Sequence, residues 1–231
     1  IAGTHSDVSP SDEPGRKYSA AVNLPLIENT LAARYTLTDR REAGYVDDLV
    51  SGRDDVNALD EKTWRGQLAW NITPSLSLRG SYLERTVDQP DAATSSERES
   101  YETDNKFLPE PSSSLVEMDI IDLNWELNEN MALTVVTSHL DKSMQQNRDG
   151  SGGLDAQDAG VRVTVPLRAN SEQSSVEARL VGSTNDDCGF WLFCNIEYLA
   201  GMVQTEVDQF VDITVVIYAD AGVATPGTIT T

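Results

Sequence analysis

The chain has 231 residues, with 38 Asp and Glu against 17 Lys and Arg, for a formal net charge of −21. That balance repels a phosphate backbone and argues against nucleic acid as a partner. Its length allows one large domain or two small ones, and its apolar residues are so dispersed that no run reaches the roughly 18 needed by a membrane-spanning helix.

If the chain crosses a membrane, it does so with strands. The opening IAGTHSDVSPSDEP is polar and carries three carboxylates. It lacks the cationic and then apolar start of a signal peptide, so a mature or truncated N-terminus is expected.

Helical periodicity is poor, whereas apolar and polar residues alternate in short segments, the period of a strand with two unlike faces. Taken in order, strands are expected over 17–24, 29–38, 63–72, 75–86, 115–127, 131–143, 173–182 and 196–207. Further candidates are Val161 to Val165 and Ile213 to Ala219. In the second, Leu31, Ala33, Tyr35 and Leu37 oppose Ala32, Arg34 and Thr36. In the third, Trp64, Gly66, Leu68 and Trp70 oppose Arg65, Gln67, Ala69 and Asn71. Leu76, Leu78, Gly80 and Tyr82 then oppose Ser77, Arg79 and Ser81. Later, Ile121, Leu123, Trp125 and Leu127 oppose Asp122, Asn124 and Glu126, and Val176, Ala178 and Leu180 oppose Glu177 and Arg179.

An ordinary half-solvated antiparallel sheet would also alternate in this way. The connections discriminate. Tight turns around Pro25, around Thr73 and Pro74, and at Asn128 to Asn130 alternate with long polar loops near 39–62, 87–114 and 144–172. Loops beyond about 12–15 residues are uncommon in compact soluble domains. An outer-membrane barrel supplies that pattern, with short turns on one side and long loops on the other. Hydrocarbon offers no water, so every backbone N–H and C=O must pair with a neighbouring strand. The expected fold is therefore all-β, an antiparallel transmembrane β-barrel wall, with residues 1–231 forming part of a single barrel domain. Trp70, Trp125 and Trp191 lie at the short-turn ends, and Tyr45, Trp64 and Tyr82 lie toward the long-loop ends, as two interfacial girdles would. Aromatics packing a soluble β-core are the alternative.

The segment from VNLPLIENT to YLERTVD, residues 22 to 88, resembles the barrel region just after the plug in TonB-dependent receptors. The likeness lies in NLPL, the apolar strand after Thr30 and Leu31, the GYVDDLVSG loop, and a DVN approach to WRGQLAW. A second phrase, SSVEARLVG followed by YLAGMVQTEVDQ, is similar to paired strands of that region, with Tyr198 where the family commonly has tryptophan. Together they cover about half of the chain. The resemblance implies an outer-membrane receptor and transporter, not an enzyme. It would take up a scarce nutrient such as a ferric siderophore, haem, cobalamin or an oligosaccharide. It also implies lipid, a plug domain and an inner-membrane energy-coupling complex as partners, with a small-molecule ligand such as a metal chelate. Receptors of this family have about 22 strands. Neither plug nor coupling box is legible here, so the chain is expected to be a fragment of the wall. A secreted soluble β-rich adhesin or binding module is the competing function.

No catalytic constellation stands out, and no resident cofactor or metal is expected. His5 and His139 belong to no H-E-x-x-H pattern, no G-x-S-x-G elbow occurs, and DGSGGLDAQDAG lacks the Lys-Ser/Thr of a phosphate loop. Asp47, Asp48, Asp54 and Asp55 offer clustered oxygen ligands for calcium, against a plain solvated acidic loop. Asn71-Ile72-Thr73 spells a glycosylation sequon but is followed by Pro74 in a tight turn. Cys188 and Cys194 are read either as a local disulfide or as two free thiols. Arg34, Arg65, Arg79 and Arg179 are expected to face inward and to pair with Glu126, Glu177 or plug groups.

Overall fold

The computed structural model describes residues 1–6, 11, 13–91, 101–103, 108–151, 161–184, 196–219 and 227–230. The strands are β1 (Ala2–Ser6), β2 (Gly15–Ile27), β3 (Leu31–Glu42), β4 (Asp47–Asp48), β5 (Leu59–Thr73), β6 (Leu76–Gln89), β7 (Glu102–Thr103), β8 (Ser112–Asn128), β9 (Met131–Asp149), β10 (Val161–Ser183), β11 (Glu197–Ala219) and β12 (Gly227–Thr230). Ten of them form one antiparallel sheet in the order β1-β2-β3-β5-β6-β8-β9-β10-β11-β12. The remaining two, β4 and β7, form a small parallel pair in the loops. Sheet order follows chain order, so each long strand pairs with the next, and among the described residues the sheet does not close on itself.

The tight turns are built from residues suited to them. Asn29 holds a φ of 56°, a left-handed conformation that asparagine tolerates, and the Thr30 N–H donates to the Ile27 carbonyl at 3.1 Å. The Ser75 N–H donates to Thr73 Oγ1 at 3.3 Å, and the Asn130 N–H donates to Asn128 Oδ1 at 2.9 Å. A register shift adjoins each of these turns, between Pro25 and Ile27, Asn71 and Thr73, and Glu126 and Asn128. Bulges of this kind bend a strand and increase its twist.

All eight main expected strands are present, but several are longer than alternation alone predicts. Val161 to Val165 and Ile213 to Ala219 are not separate strands; they are the loop-side ends of β10 and β11. The expected loop over 144–172 narrows to 150–160, because β9 continues to Asp149 and β10 begins at Val161. Ser143 to Asp149 and Arg168 to Glu172 hold no apolar residues besides Met144 and Ala169, so hydrophobic periodicity could not reveal them. What holds them in strands is the ladder: Ser143 pairs with Asn170, and Asn170 with Phe210. Likewise β1, paired with β2 from Ala2 opposite Ser19 to Ser6 opposite Gly15, carries too few apolar residues to announce itself.

The sheet encloses no dry core. Among the described residues the buried apolar side chains are Ala43, Val46, Val56 and Val163, all at the long-loop end. Val22, Leu24, Leu68, Trp70, Ile121, Trp125 and Val176 lie exposed on the sheet, and no second layer covers them.

Candidate functional site: a two-faced wall and its loop cap

Cross-strand register sorts the side chains into rows. One face carries Leu24, Ala33, Leu68, Gly80, Ile121, Thr137 and Val176 in a continuous row. The next row toward the tight turns carries Leu31, Trp70, Leu78, Leu123, Val135, Ala178 and Met202. Beyond it lie Leu76, Trp125, Leu133, Leu180 and Ala200. Directly opposite pairs of this kind are the unit of sheet stabilisation; they leave Leu31, Leu78, Leu123 and Leu133 half-buried and Leu68, Trp70, Ile121, Trp125 and Met202 exposed.

Toward the long loops this belt ends in aromatics and then in charge. Trp64 lies between Tyr35 and Tyr82, with ring centroids 6.1 and 4.7 Å away. In the row of Trp64 follow Glu84, Glu117, Asp141, Glu172 and Asp208, five carboxylates on five successive strands. From Leu76 to Glu84 is about 27 Å along a strand, or about 21 Å at a tilt near 40°. The carboxylates therefore stand at the upper rim of a band about 25 Å tall. The tyrosine hydroxyl of Tyr82 donates to Glu117 Oε1 at 2.6 Å, and His139 Nε2 is 3.9 Å from both Asp141 and Glu172.

The opposite face carries polar and cationic groups among small ones from β2 to β8. Its rows include Asn23, Arg34, Gln67 and Ser81; Pro25, Ala32, Ala69, Arg79 and Asp122; and Thr36, Arg65 and Leu83. Of the four arginines expected to pair on this face, only Arg179 does, with Glu177 two residues before it on the same strand. Arg34, Arg65 and Arg79 have no carboxylate within 4 Å among the described residues. Glu126, a predicted partner, instead lies beside a turn, its N–H donating to the Ser75 carbonyl. The three free guanidinium groups line a trough of about 720 Å³.

The long loops are tied to one another. Asp47 and Asp48 of β4 pair with Glu102 and Thr103 of β7, and Tyr45 meets Tyr101 edge to face at 6.0 Å. Arg53 bridges Asp48 at 3.3 Å and the fully buried Asp91 at 2.9 Å. Asp91 Oδ1 accepts the Glu110 N–H, Glu110 Oε1 accepts the Asp149 N–H, and Asp149 Oδ1 accepts the Ser151 N–H. From the other side, Ser11 Oγ donates to Asp55 Oδ2. Gly44 is required here, because a Cβ would lie 2.0 Å from the Asp55 carbonyl oxygen. Tyr101 holds a φ of 56°, a region disfavoured for bulky residues, fixed by the Asp47 N–H donating to its carbonyl. Among the described residues every buried side-chain nitrogen and oxygen has a hydrogen-bond partner.

These contacts also account for the acidic cluster singled out as a calcium candidate. Asp47 Oδ1 accepts the Asp55 N–H, and Asp48 accepts from the Val50 and Ser51 N–H groups and from Ser51 Oγ. Burial pushes the Asp48 carboxyl up, but these bonds and Arg53 together hold it below its ordinary value. Among the described residues no three His, Cys, Asp or Glu groups gather closely enough to hold a metal ion. Asn71 of the sequon spends its side chain on the Asn29 carbonyl at 3.1 Å. His139 Nδ1 contacts Ser174 Oγ at 3.0 Å, and His5 lies opposite Arg16 in the ladder. Cys188, Cys194 and Trp191 fall outside the described residues, as does most of the glycine-rich loop. Sequence reading missed Asp91, Glu110 and Asp149, three isolated carboxylates whose partners lie on other loops.

No protein-family model matches the chain, and no curated protein matches it by sequence. Its fold does match solved structures. The ferric yersiniabactin uptake receptor FyuA of Yersinia pestis aligns with a TM-score of 0.66 at 10% identity, over 92% of this chain and 31% of that one. The siderophore receptor PiuA of Acinetobacter baumannii aligns with a TM-score of 0.63 at 14% identity, over 97% and 32%. FpvA of P. aeruginosa, solved with pyoverdines bound, aligns with a TM-score of 0.57 at 11% identity, over 92% and 30%. The chain thus spans about a third of the length of these receptors. Its fold is that of an outer-membrane β-barrel wall, and the resemblance to the barrel of TonB-dependent receptors read from the sequence recurs in the architecture.

Proposed function

We propose that this chain is part of the wall of an energy-coupled uptake receptor in a bacterial outer membrane, admitting a scarce nutrient such as a ferric siderophore. In this reading the residues form one barrel domain, the bore is completed by further strands and filled by a plug, and an inner-membrane complex supplies the energy. The carrying observation is the exposed apolar belt: three adjacent rows of Leu, Ile, Val and Trp on one face of a single sheet. Water would not tolerate so large an apolar surface without a covering layer, whereas hydrocarbon covers it at no cost. The cationic face then looks into a wet bore, and the loop cap lies on the outside, where a nutrient is first met.

The test is photolabelling of the protein in its membrane with a lipid-soluble diazirine. Label is expected on Leu68, Trp70, Leu78 and Leu123, and not on Gln67, Arg79 or Ser81. Label on both sets alike, or on neither, would rule out the wall assignment.

A further inference from the structure

The inward face holds a feature that an uptake wall does not by itself demand. On that face, three arginines have carboxylate partners in the structure: Arg40 and Arg85 meet Glu61, and Arg179 meets Glu177. Arg34, Arg65 and Arg79 do not, although the chain has an excess of 21 negative charges from which to supply partners. Register places the three around one spot. Arg34 stands opposite Gln67, Arg65 lies two residues along the same strand, and Arg79 stands opposite Ala69 on the other side of Gln67. The neighbouring inward positions are small: Pro25, Ala32 and Ala69 share the row of Arg79. Small side chains there leave the trough open. The nearest carboxylate in register, Asp122 opposite Arg79, accepts a hydrogen bond from Asn124 Nδ2 instead.

The same strands present Leu68, Trp70 and Leu78 on their other face, so the trough lies behind the middle of the apolar belt. Guanidinium groups at membrane depth are costly unless they face water or a counter-anion, and three together repel one another. Arginine also offers a planar fork that matches carboxylate oxygens two at a time.

We propose that Arg34, Arg65 and Arg79 form a carboxylate-binding station in the bore wall, engaging an anionic guest that carries several carboxylates. The proposal rests on the inward assignment made above. Its chemistry is the same whether the carboxylates belong to a solute in transit or to an acidic stretch of polypeptide lodged in the bore.

Phenylglyoxal modification of the protein in native outer-membrane vesicles, read by peptide mass mapping, distinguishes these sources. Citrate serves as the probe anion, and Arg16, on the opposite face, serves as the reference. For a solute station, Arg34, Arg65 and Arg79 react freely and citrate protects all three, by about fivefold when it stands at about four times its Kd. For a polypeptide guest, the three are unreactive at low salt and become reactive in molar sodium chloride, which screens the contact. Two results overturn the station: free reaction at all three that citrate protects no better than Arg16, and lack of reaction that salt does not relieve. Failure of the wall assignment would show separately, as diazirine label on the arginine-bearing face.

Discussion

Asp48 illustrates how a single side chain can organise a loop. Its two carboxylate oxygens collect two backbone N–H groups, a hydroxyl and a guanidinium, so the charged form is favoured over the protonated one despite burial. A carboxyl held below its unfolded value stabilises the folded loop above that value and loses the contribution as pH falls through the folded one. Amide protection at Val50 and Ser51, corrected for intrinsic exchange, is therefore expected to stay level down to about pH 4 and to decline below it. A flat profile through the acid range would show that another group holds the turn. Asp91 offers a second test, since it is fully buried and joins Arg53 to the Glu110 backbone. Asp91→Ala should lower the opening free energy of the Asp47 and Leu49 amides by about 1–3 kcal/mol. Unchanged exchange at those amides would remove Asp91 from the cap.

Each long strand divides into two lengths with different solvents. Near the tight turns of β3, β5 and β6, one face is mainly Leu, Trp and Tyr and the other mainly Ala, Arg, Gln and Ser, whereas β11 exposes Leu199, Val203 and Val207 on that second face. Toward the loops, the row from Glu84 to Asp208 carries like charges in direct opposition. Opposed like charges destabilise a ladder, and only water makes them tolerable, so the row marks where hydrocarbon ends. Placing a charge below that line should be costly. Leu78→Arg is expected to destabilise the protein by about 2–4 kcal/mol in lipid, whereas the adjacent, inward Ser77→Arg at the same depth should cost about 0.5 kcal/mol or less. Equilibrium unfolding in liposomes measures both, and equal costs would mean that the two faces meet the same medium. The hairpin between β10 and β11 shows how tightly such strands approach, since Tyr198 lies across Gly182 where a Cβ would lie 2.3 Å from its ring and hydroxyl.

Across the whole molecule, the charge distribution matters more than its total. A chain of net charge −21 places ten of its 17 Lys and Arg between Gly15 and Asp91, and it leaves three of them, Arg34, Arg65 and Arg79, unpaired on the inward face. Its carboxylates crowd the outward rim and the cap. The alternation of Leu68 with Gln67 and of Leu78 with Arg79 was legible in the primary structure, because the pleat assigns successive residues to opposite faces without reference to anything distant. The turns at Thr73 and Asn128 were legible for the same local reason, whereas the one expected around Pro25 lies further on at Asn29, because β2 runs to Ile27 with Pro25 paired opposite Ala32. The polar ends of β9 and β10 were not, because their strand conformation comes from ladder bonds to neighbours and not from any apolar pattern.

By itself, then, the order of amino acids determined the strands near the tight turns, their two faces and the antiparallel sequence of hairpins, all of which follow from contacts between near neighbours in the chain. Only the tertiary structure decided that five carboxylates share one row, that three arginines converge on one trough, and that Arg53, Asp91 and Glu110 link separate loops. Those arrangements depend on register and loop conformation between residues on different strands and loops, where pairing is set by the summed backbone hydrogen bonds of whole strands.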